Sequence, residues 1–318
     1  MTVMVEVEHL TKSFGALQAV NGIDLAVHKG EVLGFLGPNG AGKTTTMRMI
    51  AGFLSPTTGT ARVCGHDVVT DPTAVKKVIG YMPEGSPSYD DMRVGAFLKF
   101  IAEVRGFTGA DRDARVMRVM QRVGLVEVME KPIEILSKGY RRRVGLAQAI
   151  IHDPPVLILD EPTDGLDPNQ KHQVRTLIHE MAAEKAIIIS THILEEVQAV
   201  CTRAVIIGQG RVLADGTADD LLARLPDHTA VCVVVPAEAS ASAAATFRAL
   251  PGVAAVFETP AKGGRTRLRL TPREKAPLIE AVNAAVKANA VPVFEVYQDG
   301  GTLDDVFRLI TAGPAVAA

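Results

Sequence analysis

Residues 32–46 read Val32-Leu33-Gly34-Phe35-Leu36-Gly37-Pro38-Asn39-Gly40-Ala41-Gly42-Lys43-Thr44-Thr45-Thr46, and this stretch decides the fold. An apolar run of strand type leads into G-x-x-x-x-G-K-[ST], the pattern of a phosphate-binding loop. Gly37, Gly40 and Gly42 allow backbone angles and close approaches that a Cβ would block. The loop N–H groups, Asn39 among them, can then converge on phosphate oxygens as an anion nest. Thr44, Thr45 and Thr46 open a helix through Met47, Arg48, Met49 and Ile50, whose N-terminus favours phosphate. Lys43 supplies a point charge for the β- and γ-phosphates, and the Thr44 hydroxyl is placed to ligate Mg²⁺. The chain is expected to bind a nucleoside triphosphate.

A second stretch complements the first. Residues 154–161, Pro154-Pro155-Val156-Leu157-Ile158-Leu159-Asp160-Glu161, read as a central strand of a covered parallel sheet ending in two acids. Ligands of open α/β sheets collect at such carboxyl ends. Asp160 is expected to hold Mg²⁺ opposite Thr44, and Glu161 to act as general base on the attacking water. Alone, the pair would read as a solvated strand end; beside the phosphate loop it has a function, because phosphoryl transfer needs both a metal acid and a group that positions water.

Between these elements Leu136-Ser137-Lys138-Gly139-Tyr140 opens a helix running through Val144, Leu146, Ala147 and Ile150. The Ser137 side chain and the N–H groups near Gly139 make a second anion-binding helix start. The segment resembles the signature motif of ATP-binding cassette (ABC) proteins, commonest as Leu-Ser-Gly-Gly-Gln. Other family marks follow in order. Val78 to Glu84 resembles the segment ending in the Q-loop, Asp164-Gly165-Leu166-Asp167 the D-loop, and Ile187 to His192 a strand ending in the switch histidine. Phe14 sits where an aromatic ring usually stacks on adenine. The resemblance covers about residues 1–220. It implies that ATP and Mg²⁺ are the ligands. Lys43, Glu161 and His192 would serve catalysis, with His192 sensing the γ-phosphate. Thr44, Glu84 and Asp160 would face the metal, and Ser137 and Gly139 would close over nucleotide held by a second subunit.

Three residues depart from the family pattern. Glu84 replaces the usual glutamine, Asp164 a more common serine, and Tyr140 the signature glutamine. Glu84 with Pro83, Lys138-Gly139-Tyr140 and Leu166 to Gln170 together resemble the exporter-type subgroup that includes gliding-motility and copper-maturation ATPases.

The expected fold is α/β: a P-loop cassette over 1–218, containing a helical subdomain at about 85–136. In that subdomain Val94, Phe97, Leu98 and Ile101, then Val116, Val119, Met120 and Val123, follow helical spacing. Docking of a membrane partner and core packing explain these stripes equally well. After Gly216 the composition shifts toward alanine and valine. Residues 219–228 read as a linker containing a short helix, Asp219 to Leu225, and a hinge at Pro226-Asp227. A small α+β domain of ferredoxin-like β-α-β-β-α-β order is expected over 229–312, with a helix from Arg273 to Asn289 and a strand from Pro292 to Tyr297. A last helix begins at Leu303 after a Thr302 cap, and the tail, Gly313 to Ala318, is expected to fray. Dimerisation, packing against the ATPase domain and a small-ligand site are all open roles for this domain.

Composition bounds the class. The 318 residues are 47% hydrophobic and 22% charged with net charge −2, which argues against a nucleic-acid surface. The N-terminus shows no signal-peptide pattern, and apolar runs are too short to span a bilayer. Cys64, Cys201 and Cys232 fit reduced thiols rather than a disulfide framework or zinc site. The resemblance implies an ATP-hydrolysing subunit on the cytoplasmic face of a membrane, homodimeric around two ATP and coupled to a separate multi-span permease, with export as the expected direction. A mechanical driver of a membrane-anchored or periplasmic assembly is one alternative. A soluble ABC ATPase is another, disfavoured by the lack of a heptad run between Lys43 and Ser137 and by the presence of one cassette.

Overall fold

The computed structural model describes residues 2–85 and 89–311, so the expected fraying of Gly313 to Ala318 lies outside the described residues. The chain forms two compact units, 1–217 and 218–318. The first begins with β1 (Val3–Phe14), β2 (Leu17–His28), β3 (Val32–Leu36) and α1 (Lys43–Ile50). It continues with β4 (Thr58–Val63), β5 (His66–Asp67), α2 (Pro72–Val78) and β6 (Ile79–Met82). Three helices, α3 (Val94–Val104), α4 (Gly109–Val123) and α5 (Lys138–Ile150), precede β7 (Val156–Asp160). The unit closes with α6 (Pro168–Ala182), β8 (Ala186–Thr191), α7 (Leu194–Val200), β9 (Arg203–Gly208) and β10 (Arg211–Gly216).

Two sheets organise it. An antiparallel sheet runs in the order β2-β1-β4-β5, and a six-stranded sheet in the order β10-β9-β3-β8-β7-β6. In the larger sheet β9, β3, β8, β7 and β6 are mutually parallel, and only β10 pairs antiparallel. Alternation divides the apolar side chains of the central strands between two cores. Leu33, Phe35, Val156, Ile158 and Ile188 face a core shared with α1 and the antiparallel sheet. Leu157, Leu159, Ile187 and Ile189 face a core built with α3, α4, α5 and α6. A parallel sheet covered on both faces must read as nearly continuous apolar runs, and β3, β7 and β8 are buried throughout.

The two helical stripes belong to the second core. Val94, Phe97, Leu98, Val116, Val119, Met120 and Val123 are buried there, with Ile101 packed against them. Packing within the chain, not docking of a partner, explains their spacing. α4 ends at Gly124, whose φ of 69° closes the helix in the left-handed conformation.

The second unit holds α8 (Ala218–Leu222), β11 (Val231–Pro236), α9 (Ser240–Arg248), β12 (Val253–Ala261), β13 (Arg265–Pro272), α10 (Ile279–Ala288), β14 (Glu295–Gln298) and α11 (Leu303–Thr311). Its sheet runs β12-β13-β11-β14 with every neighbouring pair antiparallel, which interleaves two β-α-β crossovers in the split arrangement. Residues 219–228 are not a free connection. Leu221 and Leu225 are buried, and α8 packs on α11 within this unit. The helix expected from Arg273 begins only at Ile279. Pro277 disfavours helical angles at the residue before it, and Lys275 stands at φ 53°. The strand expected from Pro292 begins at Glu295, since Pro292 brings no N–H to a ladder. Thr302 caps α11 as expected: its hydroxyl accepts from the Asp305 N–H, and the Asp305 carboxylate accepts from the Thr302 N–H in return.

Candidate functional site

The loop between β3 and α1 leaves the carboxyl end of a central strand. A Cβ at Gly37 would overlap the Ile207 carbonyl oxygen, and at Gly42 (φ 104°) one would stand 2.6 Å from the Ala19 oxygen. The loop can hold this path only with glycine at both positions. The Lys43 ammonium donates to the Gly37 oxygen at 2.6 Å and the Pro38 oxygen at 3.2 Å, folding over the loop and away from solvent. Burial pulls its pKa below the ordinary lysine value, while Glu161, Asp160 and Glu84 push in the opposite sense. No side chain caps α1 and its first turn has no acid. The first N–H groups of a helix have no partner inside the helix, so this end suits an anion. Thr44 and Thr45 are half-buried, whereas Asn39 and Gly40 are exposed on the loop.

Parallel register brings the acids to the same edge. Asp160 pairs with Ser190 across β7 and β8, and Leu36 with Thr191 across β3 and β8. Asp160 is 1% exposed. The Ser190 hydroxyl donates to Asp160 Oδ1, and among the described residues no group hydrogen-bonds the buried Asp160 Oδ2. A buried carboxylate oxygen without a donor is costly unless a cation or water meets it. A divalent cation such as Mg²⁺ fits this oxygen of Asp160. No cluster of three His, Cys, Asp or Glu side chains among the described residues could hold a metal on its own. The remaining ligands would therefore be phosphate or water oxygens.

Glu161 follows Asp160 in the left-handed region, at φ 51°. Its N–H donates to Ser190, with the hydroxyl oxygen at 3.1 Å, which holds this unusual backbone in place. The turn aims the carboxylate at His192, whose Nδ1–H donates to Glu161 Oε1 at 2.9 Å. A base oriented by a third group is the geometry expected of activated water. Glu84 lies just beyond β6, exposed, and close enough to act on Lys43. Phe14 ends β1 with 47% of its surface exposed, and the Lys12 ammonium stands 5.2 Å from its ring centre.

Ser137 caps α5, accepting from the Tyr140 N–H at 3.4 Å. A Cβ at Gly139 would run into Gln170 and Leu166, so the start of α5 is seated on the segment after β7 rather than on the loop at 37–44. Asp164 accepts from Lys138 at 2.7 Å and from Arg142 at 3.4 Å, and these cations hold its carboxyl below the ordinary range, Lys138 most strongly. Two residues of this region escaped sequence reasoning. Ser190 is the first polar residue after a run of isoleucines, a signal that gains meaning only once the register sets it opposite Asp160. Arg142 looks like one of three consecutive surface arginines until the fold buries it to 4% exposure.

Comparison with known proteins places this geometry. Residues 20–164 match the family model described as ABC transporter. The Nod factor export ATP-binding protein I of Ralstonia nicotianae (strain ATCC BAA-1114 / GMI1000) is 31% identical over 98% of this chain and 94% of its own length. The ABC transporter ATP-binding protein NatA of Bacillus subtilis (strain 168) is 39% identical over 64% of this chain and 84% of its own. The linearmycin resistance ATP-binding protein LnrL of the same organism is 34% identical over 73% and 75%. A solved structure of the ATP-binding subunit of an ABC transporter superposes with TM-score 0.64 and 30% identity, over 69% of this chain and 91% of that one. A dimeric cassette in a post-hydrolysis state with ADP and Pi superposes with TM-score 0.63 over 67% of this chain and 98% of that one; at 20% identity it shares the fold. The chain therefore belongs to the ABC transporter family as an ATP-binding subunit, and it is an ATPase.

Proposed function

We propose that this subunit powers an exporter. It lies on the cytoplasmic face of a membrane, pairs with a second copy around two ATP and drives a separate multi-span permease. The observation that carries the reading is the convergence of Lys43, the partnerless Asp160 oxygen and the Glu161–His192 pair at one sheet edge. Near full-length similarity to an export ATP-binding protein, spanning the second unit as well, supports the direction of transport. No helix among the described residues is long and apolar enough to cross a membrane.

In this reading the loop amides and Lys43 grip the phosphates, and Phe14 stacks on the base. Thr44 and Asp160 hold Mg²⁺, which offsets phosphate charge when bound, and Glu84 adds an acid on the same side. Glu161 takes the proton from the attacking water while His192 orients the carboxylate and reads the γ-phosphate. Ser137 and Gly139 close over the nucleotide of the other copy. A groove of about 1020 Å³ is lined by Phe53, Phe107, Arg48, Lys76 and Arg105, and by Pro83, next to Glu84. It is the docking place we assign to a permease helix.

The Glu161→Gln variant tests the assignment. Hydrolysis should fall by about 100-fold or more, the usual size of a lost general base. ATP should convert the variant into a dimer in gel filtration, and a mild-detergent pull-down should recover a multi-span membrane protein. Hydrolysis at the parent rate would remove Glu161 from its role. Recovery of ribosomal or DNA-bound proteins alone would overturn the membrane assignment.

A further inference from the structure

Asp164 after β7, one of the departures from the family pattern, meets Lys138 at the start of α5 in space. The Lys138 ammonium lies 2.7 Å from Asp164 Oδ2, and Arg142, one turn further along α5, reaches the same oxygen at 3.4 Å. The contact is built on both sides. Gly165 (φ 73°) leaves room for the Lys138 stem, which a Cβ there would strike; Gly139 in turn leaves room for Gln170 and Leu166. Asp167 then caps α6 by accepting from the Gln170 N–H at 2.9 Å. Loop, helix start and charges thus interlock.

An ion pair this exposed contributes little to folding; the Lys138 side chain is 62% accessible and that of Asp164 34%. Its two partners, however, belong to the two segments that flank the subunit contact in the proposed reading. We propose that Lys138 and Asp164 form a charge clasp that makes the signature helix start and the D-loop move as one piece when the two copies close. Lys138 and Asp164 are positioning residues on this account. The clasp governs the rate of the closed state and leaves ATP binding at the same chain's phosphate loop alone. This rests on the proposed dimeric reading. It adds a reason for Asp164 and Lys138 to occur together: each supplies the charge the other needs, and Arg142, whose side chain is 5% exposed, keeps Asp164 ionised and pointing at α5.

A double-mutant cycle on the full chain with the Lys138→Met and Asp164→Asn variants tests the clasp, reading kcat, KM for ATP and thermal midpoint. Each single change should lower kcat by about 5-fold, and the double variant should be no slower than the slower single, since coupled residues are not additive. KM should stay at the parent value throughout. Lys138→Arg, which keeps the charge, should recover most of the rate. Losses that multiply in the double variant, a shift confined to KM, or a Lys138→Arg variant as slow as Lys138→Met would overturn the clasp. A Glu161→Gln control separates the levels. If that variant dimerises with ATP and the cycle is still additive, the clasp alone fails; if it stays monomeric, the dimeric reading fails and the clasp's role with it.

Discussion

Among the described residues a single hydroxyl, that of Ser190, hydrogen-bonds the Asp160 carboxylate, and the same serine also supports the backbone turn of Glu161. Replacing Ser190 by alanine removes the hydroxyl that donates to Asp160, while the Glu161 N–H keeps the Ser190 carbonyl oxygen, 3.2 Å away, as acceptor. Outer partners of metal ligands commonly carry about 10-fold or more of metal affinity. Ser190→Ala should therefore raise the Mg²⁺ concentration needed for half-maximal hydrolysis by about that factor, read from an Mg²⁺ titration of ATPase rate; an unchanged titration would remove Ser190 from the site. His152 offers a prediction of a different kind. Its Nε2–H donates to the Ile79 oxygen, and burial, with Arg105 second, pushes its pKa down from 6.5 to about 4. Between those values the unfolded chain takes up a proton that the folded chain refuses. Stability therefore falls as pH drops through this window, by at most roughly 1.4 kcal/mol per unit. Asp153 and Asp164, held low by Lys185 and Lys138, lose their contribution only on further acidification, below the ordinary aspartate value. His152→Gln should flatten the limb between pH 6.5 and 4 in urea unfolding and leave the more acidic limb in place.

Elements in this chain are joined by a few buried connections as well as by apolar packing. Helix α3 anchors the helical region through Phe97, 2% exposed, in the core shared with α4 and α5. Phe97→Ala should cost about 3–5 kcal/mol, as aromatic truncations in packed cores do. The loss should appear as a lower urea midpoint, and a cost below 1 kcal/mol, on the order expected at the surface, would place the ring outside the core. α6 and α7 are tied differently. Glu196, 4% exposed, accepts from Arg175 at 2.7 and 2.9 Å, with the Lys171 ammonium 3.6 Å away. Helix α6 follows Asp164 to Asp167 and α7 follows His192, so this pair links the two segments.

At the scale of the whole molecule the division at residue 217 is the main feature. Every residue assigned to nucleotide and metal, from Phe14 at the end of β1 to His192 after β8, lies in the first unit. The second has a core of its own built around Val231, Val233, Phe247, Leu268 and Val282. A chain ending at Thr217 should fold and bind an ATP analogue with an affinity within about 3-fold of the full chain, measured by fluorescence titration, a difference of under 1 kcal/mol. Failure of that fragment to bind would show that the second unit completes the site.

The phosphate loop, the acidic strand and the switch histidine are legible in sequence because they obey local rules. Glycines mark a backbone path, apolar runs mark buried strands, and short motifs keep their spacing whatever surrounds them. The order of elements in the second unit is legible for the same reason, with errors where Pro277 and Pro292 displace element starts. Other features depend on residues far apart in the chain. That Ser190 serves Asp160 follows from strand register; that Lys138 and Arg142 share Asp164 follows from how α5 seats on the turn after β7. That the stripes of α3 and α4 are core follows from what covers them. Sequence determined which groups could do phosphate chemistry, since that depends on residue type and local backbone; tertiary structure decided which of them stand together, since distance between remote segments is set by packing.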